Sequence, residues 1–419
     1  MTKFKKQLTA ALSAGSLFFS MATPALAGTT ITVSGNGAFS ENEAEVEMSN
    51  STSVFQSNTA QVSNVISSNS TTGNNNANQN TSGDVLIRTG DALSDVSVEN
   101  LLNSNHASVD CCDAGDLEIE ISGNGAYSDN DVEVGDDDRH RRQDENDGIF
   151  VTQDNDARVS NEVDSDAKTG SNNANQNTNG DVAIGTGDAT SIVAVSTTAN
   201  ANSASVGGGN SAGGSVSAKI LGNGANTENE IELELDDDIT ITQANYAEIR
   251  NGIDADAKTG YNDAYQNTAG EAMILTGDAL VDVEVDNMVN FNWADVDCGC
   301  LEDLDLKVAG NGAESDSKIE FEADNDLWVN QGYEGSGNEA LLSNEIEGDA
   351  KTGRNSLDQS TGEDDSDPAI LTGDAASYVD VENSGNVNSF GEGWSHELPW
   401  DFDFHFSFDL DWSDLLAML

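Results

Sequence analysis

An aspartate recurs at four equivalent places in this chain, each time within the sequence Thr-Gly-Asp-Ala. The four residues are Asp91, Asp188, Asp278 and Asp374. Calcium prefers carboxylate and carbonyl oxygens, so the recurrence makes these aspartates candidate calcium ligands. The chain contains neither an EF-hand loop nor the Gly-Gly-x-Gly-x-Asp nonapeptide of calcium-binding solenoids. A solvated acidic surface suited to saline surroundings is the alternative interpretation.

The basic residues give little support for catalysis. Enzymes that cleave polysaccharides place acids beside suitable partners in a groove. The histidines are scattered and none recurs at an equivalent place: His106, His140, His396 and His405. Lysines do recur in Ala-Lys-Thr-Gly, each two residues after an aspartate, which predicts structural pairing at a corner: Asp166 with Lys168, Asp256 with Lys258, and Asp349 with Lys351. We therefore predict that the protein is not an enzyme.

These recurring residues belong to a large repeat that the chain contains four times. Its clearest part reads Gly-x-Asn-x-Ala-x-Gln-Asn-Thr-x-Gly and ends on Thr-Gly-Asp-Ala, at 73–92, 170–189 and 260–279, with a divergent copy at 353–375. The motif Gly-Asn-Gly-Ala recurs at spacings of 88, 99 and 88 residues. The second copy is longer near the charged stretch 136–144, which predicts a surface loop.

The repeats predict the organisation of the chain. A signal peptide occupies 1–27, followed by repeats at 28–116, 117–216, 217–304 and 305–393, and by a C-terminal segment at 394–419. The second repeat carries the charged loop and ends in a Gly/Ser-rich stretch.

Within each repeat, retained residues fall at every second position. Side chains alternate between the two faces of a strand, so the retained amides and aliphatics share one face, which we expect to lie inside. No helical period competes, and the sequence predicts an all-β protein. The predicted inward amides are Gln56, Asn58, Asn64, Gln153, Asn155, Asn161, Gln243, Asn245 and Asn251.

The recurrence favours a β-solenoid. The motif Asn-x-Ala also recurs inside each large repeat, at Asn58, Asn75 and Asn105, which suggests a stacking unit of roughly 17 to 22 residues. Stacking would align identical amides into ladders that satisfy one another, whereas an isolated buried asparagine is costly. Four tandem β-sandwich-like repeats are the alternative fold.

The inward amides also carry a resemblance to a known family. The patterns Gln56-x-Asn58-x-Ala60 and Gly73-x-Asn75-x-Ala77-x-Gln79 resemble the curlin repeats of amyloid-forming curli fibres. The curlin pattern places a glycine between its Gln and Asn, which occurs here only near Gln331, and the acidic load of this chain is heavier. The resemblance implies a self-stacking extracellular β-structure and carries no catalytic residue with it.

Four cysteines occur as two close pairs, at equivalent places in the first and third repeats. They are Cys111, Cys112, Cys298 and Cys300. An even number in an exported chain favours disulfides. In a solenoid of short coils the two pairs would lie tens of ångströms apart, which predicts local or intermolecular bridges. A zinc site, which needs four converging ligands, is a further alternative.

The N-terminus and the overall charge point to export. Residues 1–27 have a basic start, an apolar middle and a small-residue end at Ala25-Leu26-Ala27, which are typical of a secretory signal. No other stretch is long and apolar enough to span a bilayer. The formal net charge of −60 argues against nucleic acid and anionic membranes as partners.

The C-terminal segment departs from the repeat. Aromatic residues alternate mostly with acids between Phe402 and Trp412, which predicts a strand with one apolar face. Such a face needs a partner, so we expect segment 394–419 to cap the last repeat or to dock on another copy or an envelope component.

Together these features predict a secreted or cell-surface protein with a structural or adhesive role. Self-association or attachment to a cell-envelope component is the expected interaction. A calcium-dependent or glycan-binding adhesin and a β-helix enzyme acting on polysaccharides are the alternative functions.

Overall fold

The computed structural model describes most of the repeat region. The described residues are 19–21, 28–47, 51–109, 116–135, 148–207, 214–236, 238–297, 301–324, 326–332, 337–361 and 368–391. Their regular secondary structure consists of β-strands, as expected from the alternating pattern. Among these residues, no helix has the length and apolarity needed to cross a bilayer.

Each large repeat forms one turn of a solenoid, here called a rung. After β1 (Phe19–Met21), rung 1 comprises β2 (Thr29–Ser34), β3 (Glu41–Glu47), β4 (Ser51–Thr71), β5 (Val85–Arg88) and β6 (Ala92–Val109). Rung 2 comprises β7 (Leu117–Ser122), β8 (Asp129–Gly135), β9 (Gly148–Lys168), β10 (Val182–Gly185) and β11 (Ala189–Gly207).

The third and fourth rungs repeat this order. Rung 3 comprises β12 (Gly214–Leu221), β13 (Glu228–Asp236), β14 (Ile239–Lys258), β15 (Ala272–Leu275) and β16 (Ala279–Asp297). Rung 4 comprises β17 (Leu301–Ala309), β18 (Asp316–Asp324), β19 (Leu327–Asn330), β20 (Glu339–Lys351), β21 (Ala369–Leu371) and β22 (Ala375–Phe390). In rung 4 the pair β19 and β20 takes the place of one long strand, because both pair with β14.

Equivalent strands of successive rungs pair in parallel and form five sheets. Two small sheets, β2-β7-β12-β17 and β3-β8-β13-β18, meet at one end of each rung. Long sheet I contains β4, β9, β14, β19 and β20, and long sheet II contains β1, β6, β11, β16 and β22. The corner sheet β5-β10-β15-β21 lies between the long sheets along the chain.

The register follows the sequence repeat residue by residue. Asn58 pairs with Asn155, and Asn155 with Asn245, along long sheet I. The solenoid is therefore confirmed. The tandem β-sandwich alternative is wrong because every sheet takes strands from all four repeats.

The predicted stacking unit of 17 to 22 residues is wrong, because the unit that stacks is the whole large repeat. Two of the Asn-x-Ala motifs that suggested the short unit lie on opposite walls of one rung. Asn58 in β4 donates from Nδ2 to Oδ1 of Asn105 in β6 across the core, at 2.7 Å. The short internal similarity therefore reflects two sheets that face each other rather than two coils that stack.

Aliphatic side chains fill the space between facing sheets. Between the long sheets, Val163 and Ile253 of sheet I pack with Val193 and Val283 of sheet II, and all four are buried. Between the two small sheets, Ile119 and Ile121 of β7 pack with Val132 of β8. Because each wall is a parallel sheet with one face inside, inward and outward positions alternate along the long strands, as in β4 and β9.

A glycine corner follows each strand of long sheet I and permits close approach of the rungs. Gly73, Gly170 and Gly260 have φ values of 116°, 105° and 101°. A Cβ on Gly73 would lie 1.9 Å from the carbonyl oxygen of Gly170 in the next rung. Only glycine satisfies both the left-handed backbone and this contact.

Several sequence predictions fall on residues outside the described part of the chain. These are the charged loop 136–144, the four cysteines, and the C-terminal segment 394–419. Of the predicted signal peptide only β1 is described, and Phe19–Met21 pairs with Ala107 to Val109 of β6.

Candidate functional site

The predicted inward amides form continuous ladders along the solenoid. Gln243 donates from Nε2 to Oε1 of Gln153 at 2.8 Å, and Gln153 donates to Oε1 of Gln56 at 2.7 Å. Gln331 extends the ladder into rung 4 by donating to Gln243 at 3.0 Å. Gln153 and Gln243 are fully buried, so the ladder lies in the core as predicted.

The asparagine side chains of long sheet I donate in the opposite direction, from each rung to the following one. Asn58 donates from Nδ2 to Oδ1 of Asn155 at 3.1 Å, and Asn155 donates to Asn245 at 3.1 Å. Asn64 donates to Asn161 at 2.8 Å, and Asn161 to Asn251 at 2.7 Å. Asn155, Asn161, Asn245 and Asn251 are all at most 4% exposed.

A second set of amides on long sheet II joins these ladders across the core. Asn105 donates to Oδ1 of Asn155 and of Asn202, both at 3.0 Å. Asn202 donates in turn to Asn245 and Asn292, also at 3.0 Å. Each buried amide thus binds a neighbour along the stack and another on the facing wall, which satisfies polar groups that would otherwise be costly to bury.

Sequence reasoning missed a ladder that interrupts the strands of long sheet II. Asn103, Asn200 and Asn290 have φ values of 52°, 63° and 62°, in the left-handed region that asparagine tolerates. Asn103 donates to Asn200, and Asn200 to Asn290, both at 3.0 Å. The sequence does indicate this ladder, because an asparagine recurs at the equivalent position of every repeat, including Asn386 in the fourth.

The candidate calcium ligands stack at the corner where long sheet II begins. Asp91 accepts the backbone N–H of Asp188 on Oδ1 at 3.0 Å. Asp188 accepts that of Asp278 at 2.8 Å, and Asp278 accepts that of Asp374 at 2.7 Å. One carboxylate oxygen of each inner aspartate therefore holds the next rung. Among the described residues, no group of three or more histidine, cysteine, aspartate or glutamate side chains is arranged to hold a metal ion.

The predicted lysine–aspartate pairs are confirmed where the strands of long sheet I end. Lys168 lies 2.7 Å from Asp166, and the equivalent pairs Lys258–Asp256 and Lys351–Asp349 also form. Burial alone would lower the pKa of Lys258, but its hydrogen bond to Asp256 and the neighbouring carboxylates raise that pKa. The hydrogen bond from Lys351 lowers the pKa of Asp349.

Acids beside this lysine column experience unfavourable surroundings. Burial raises the pKa of Asp254, and the charges of Asp256 and Glu347 raise it further. On long sheet II, burial raises the pKa of Asp286, with a further contribution from Glu382 in the next rung. In-register stacking therefore brings like charges together on the outer faces.

Charge is distributed unevenly between the first and last rungs. Strand β4 has 21 residues and none of them is charged. Its counterpart β20 has 13 residues and includes Glu339, Glu345, Glu347, Asp349 and Lys351. Both strands lie at an edge of long sheet I, where one side of each is unpaired within the described chain. The two ends of the solenoid therefore have different electrostatic surfaces.

The arrangement of the rungs changes one expectation about the cysteines. The strands that precede the two pairs, β6 and β16, are separated in long sheet II only by β11. Neighbouring strands lie about 4.8 Å apart, so these strands are about 10 Å apart. The expected separation of tens of ångströms depended on short coils, and the described strands do not form short coils. The cysteines themselves lie outside the described residues. The pairing itself stays open.

The only histidine in the described residues lies in long sheet II. His106 Nδ1 is 3.2 Å from Ser203 Oγ, and burial lowers the pKa of the imidazole.

The chain matches no protein-family model, and neither a curated protein sequence nor a solved structure matches it significantly.

Proposed function

We propose that this chain is an exported structural protein, with a scaffolding or adhesive role at the cell surface or in an extracellular matrix. The observation that carries the proposal is that recurring polar side chains form hydrogen bonds inside the solenoid. Asn155, Asn161, Asn202 and Gln153 are buried and hydrogen-bonded to equivalent or facing amides. These four retained amides thus hold rungs together, and none of the four faces solvent.

The outer surface supports the same role. Excess acidic charge keeps a protein soluble and discourages binding to nucleic acid. Such a surface suits a saline extracellular medium, where ions screen the repulsion between stacked acids within about 10 Å. The signal-like sequence at residues 1–27 supports export. The resemblance to curlin repeats supports self-association outside the cell.

The location can be tested on intact cells of the source organism. We expect antibodies raised against rungs 2 and 3 to label the cell surface or the surrounding matrix in immunogold electron microscopy. Added protease should remove the label from intact cells. Labelling that appears only after the cells are permeabilised would contradict the proposal.

A calcium-dependent adhesin is the second candidate, favoured by the aspartate column at the corner. Asp91, Asp188 and Asp278 each use Oδ1 to hold the next rung. We propose that cations bind weakly along this column and lessen the repulsion between its carboxylates. Saturable glycan binding that requires calcium would support the adhesin over the purely structural role.

A further inference from the structure

We propose that rung 4 of one copy pairs with rung 1 of a second copy, in the register that joins consecutive rungs within the chain. This inference rests on the proposed structural role and names the partner as a second copy of the same chain. It also fixes the direction of assembly as head to tail. Three observations at the two edges carry it: open glycines, an unpaired amide and an asymmetry of charge.

The first observation concerns two glycines of rung 1. In rungs 2 to 4, the glycine of Thr-Gly-Asp-Ala must lack a Cβ because the preceding rung lies against it. A Cβ on Gly187, Gly277 or Gly373 would lie 2.2 to 2.3 Å from Oδ1 of the preceding aspartate. At Gly90, in rung 1, no described atom lies within 4 Å of the same position, and φ is outside the left-handed region.

Gly37 repeats this situation at the opposite end of the rung. A Cβ on Gly125, Gly224 or Gly312 would lie 2.4 to 2.6 Å from a backbone nitrogen of the preceding rung. At Gly37 the corresponding space is open among the described atoms, and φ again does not demand glycine. Among the described residues of one chain, nothing sterically requires glycine at Gly37 or Gly90. Both would be required if Gly312-Ala313 and Gly373-Asp374 of another copy lay against rung 1.

The second observation is an amide left without a partner at rung 4. Asn75 donates to Asn172, Asn172 to Asn262 and Asn262 to Asn355, at 3.0 to 3.1 Å. Asn355 Nδ2 is buried and finds no partner among the described residues. In the proposed junction the next acceptor along this ladder is Oδ1 of Asn75 in the second copy. The junction would therefore satisfy a buried donor, which is otherwise costly.

The third observation is the lack of charge in β4. Continuing the register of long sheet I places Glu347 and Asp349 of one copy beside Ser67 and Asn69 of the next. Within the chain, the same columns bring Asp254 beside Glu347 and Asp256 beside Asp349. On this sheet the junction thus brings fewer like charges together than the contact between rungs 3 and 4. Joining two fourth rungs would instead bring acids against acids.

In the two small sheets, stacked charges at the junction match ones already present between rungs 3 and 4. At the junction Glu320 would stack on Glu45, but Glu320 already stacks on Glu232 within the chain. Lys318 would stack on Glu43, as it now does on Glu230 at 2.9 Å. Among the described residues, β1 pairs only with Ala107 to Val109, and no described strand covers the remaining edge of rung 1. Removal of a signal peptide would free those residues as well.

The experiment compares glycine variants of the full-length exported protein. We expect the wild type to form filaments in 0.15 M NaCl and in 1 M NaCl, seen by electron microscopy and by sedimentation, with β-strands spaced about 4.8 Å along the filament axis. The double variant G37A/G90A should remain monomeric, with at least a tenfold loss of sedimenting protein. Its melting temperature should equal or exceed that of monomeric wild type, because alanine fits both open sites.

G185A is the matched control, because Gly185 also has open space and an ordinary φ but lies in rung 2. It should assemble like the wild type. G187A, whose Cβ would meet Asp91, should lower the melting temperature and thereby confirm the contact between rungs.

Two outcomes would overturn the inference. One is assembly of G37A/G90A at the rate of the wild type. The other is a wild type that stays monomeric at both salt concentrations, including one that assembles only after residues 394–419 are deleted, since the fourth rung would then be covered by the chain's own C-terminal segment. Either result leaves the surface location open to its separate immunogold test, so failure of the inference is distinguishable from failure of the proposed function.

Discussion

The inner and outer faces of long sheet I follow the same register but have opposite energetics. Inside, Asn155 stacks between Asn58 and Asn245, and its amide accepts from Asn58 and donates to Asn245. Outside, Asp254 stacks between Asp164 and Glu347, and every neighbour carries the same charge. Amides stack favourably because they are both donors and acceptors, whereas ionised carboxylates only accept. A stack of equivalent residues therefore stabilises the core and destabilises the surface.

The size of the two effects differs because of solvent. Two ionised carboxylates about 4.8 Å apart repel by about 0.9 kcal/mol in water before screening. Leaving a buried amide unpaired costs about 1–3 kcal/mol for each group. The core ladder can thus outweigh the surface repulsion, and four predictions test this comparison in order of expected size.

The largest effect should come from breaking the inner ladder in the middle. Asn155→Ala removes hydrogen bonds to Asn58, Asn105, Asn202 and Asn245 and leaves a small cavity. We expect the free energy of unfolding to fall by about 3 kcal/mol or more, measured by urea denaturation of the assembly-deficient G37A/G90A protein.

The matched outer substitution is Asp164→Ala in the same strand. Asp164 lies on the exposed face and faces other acids, so its removal should leave the stability unchanged or slightly higher. Equal losses for the inner and outer variants would contradict the assigned roles of the two faces.

The second prediction concerns pH. The folded-state pKa values of Asp254, Glu284 and Asp286 are raised, first by burial and then by neighbouring acids. The folded protein therefore binds protons more readily than the unfolded chain, so stability should increase as the pH falls from neutral toward the ordinary values of 3.8 and 4.5. In thermal melts, the melting temperature should rise as the pH is lowered from 7.5 to 5.

Groups whose folded-state pKa is lowered set limits on this trend. Burial lowers the pKa of His106, so its protonation below pH 6.5 opposes the gain. The pKa of Asp349 is lowered by Lys351, so its contribution is lost once the pH falls below about 3.8. The variant D254N/D286N should be more stable at pH 7.5 and less sensitive to pH. A pH dependence identical to that of the wild type would assign the trend to other groups.

The third prediction tests whether the lysine column relieves the outer repulsion. Lys258 binds Asp256 and lies near Asp166 and Asp349, so one cation offsets several carboxylates. Lys258→Gln should lower the free energy of unfolding by about 0.5–1 kcal/mol in low salt, since the pair is only partly buried. High salt should remove most of the difference. A loss that is the same at 1 M NaCl would indicate packing by the lysine stem instead.

Much of this comparison could be predicted from alternation along the strands. The parity of Gln153, Asn155 and Asn161 placed them inside, and the structure confirms this. The size of the stacking unit could not be predicted in the same way, because Asn58 and Asn105 share the pattern Asn-x-Ala although they lie on facing walls. A local pattern reports which face of a strand is inside. Whether two similar strands stack or face each other depends on the path of the chain between them.

The edges of the solenoid show a second limit of sequence reasoning. The glycines Gly37 and Gly90 read as ordinary turn residues, because the same motif occurs in every repeat. Only the positions of neighbouring rungs reveal that the glycine is sterically required in rungs 2 to 4 and unexplained in rung 1. Likewise the absence of charge in β4 is visible in the sequence, but its significance appears only when β4 is known to be an edge strand.

The smallest expected effect is that of calcium on the aspartate column. Each inner aspartate keeps Oδ1 engaged with the next rung, so a cation would bind through the remaining oxygen and through weak, exposed contacts. At constant ionic strength we expect 5 mM calcium to raise the melting temperature by about 1–3 °C, consistent with a gain below 1 kcal/mol. Chelation should reverse the shift.

Replacing Asp188 and Asp278 together by asparagine keeps an oxygen acceptor for the backbone N–H and removes the charge. This variant should therefore melt at the same temperature with or without calcium. A calcium shift that persists in the variant would place the cation on the acidic outer faces instead of the corner.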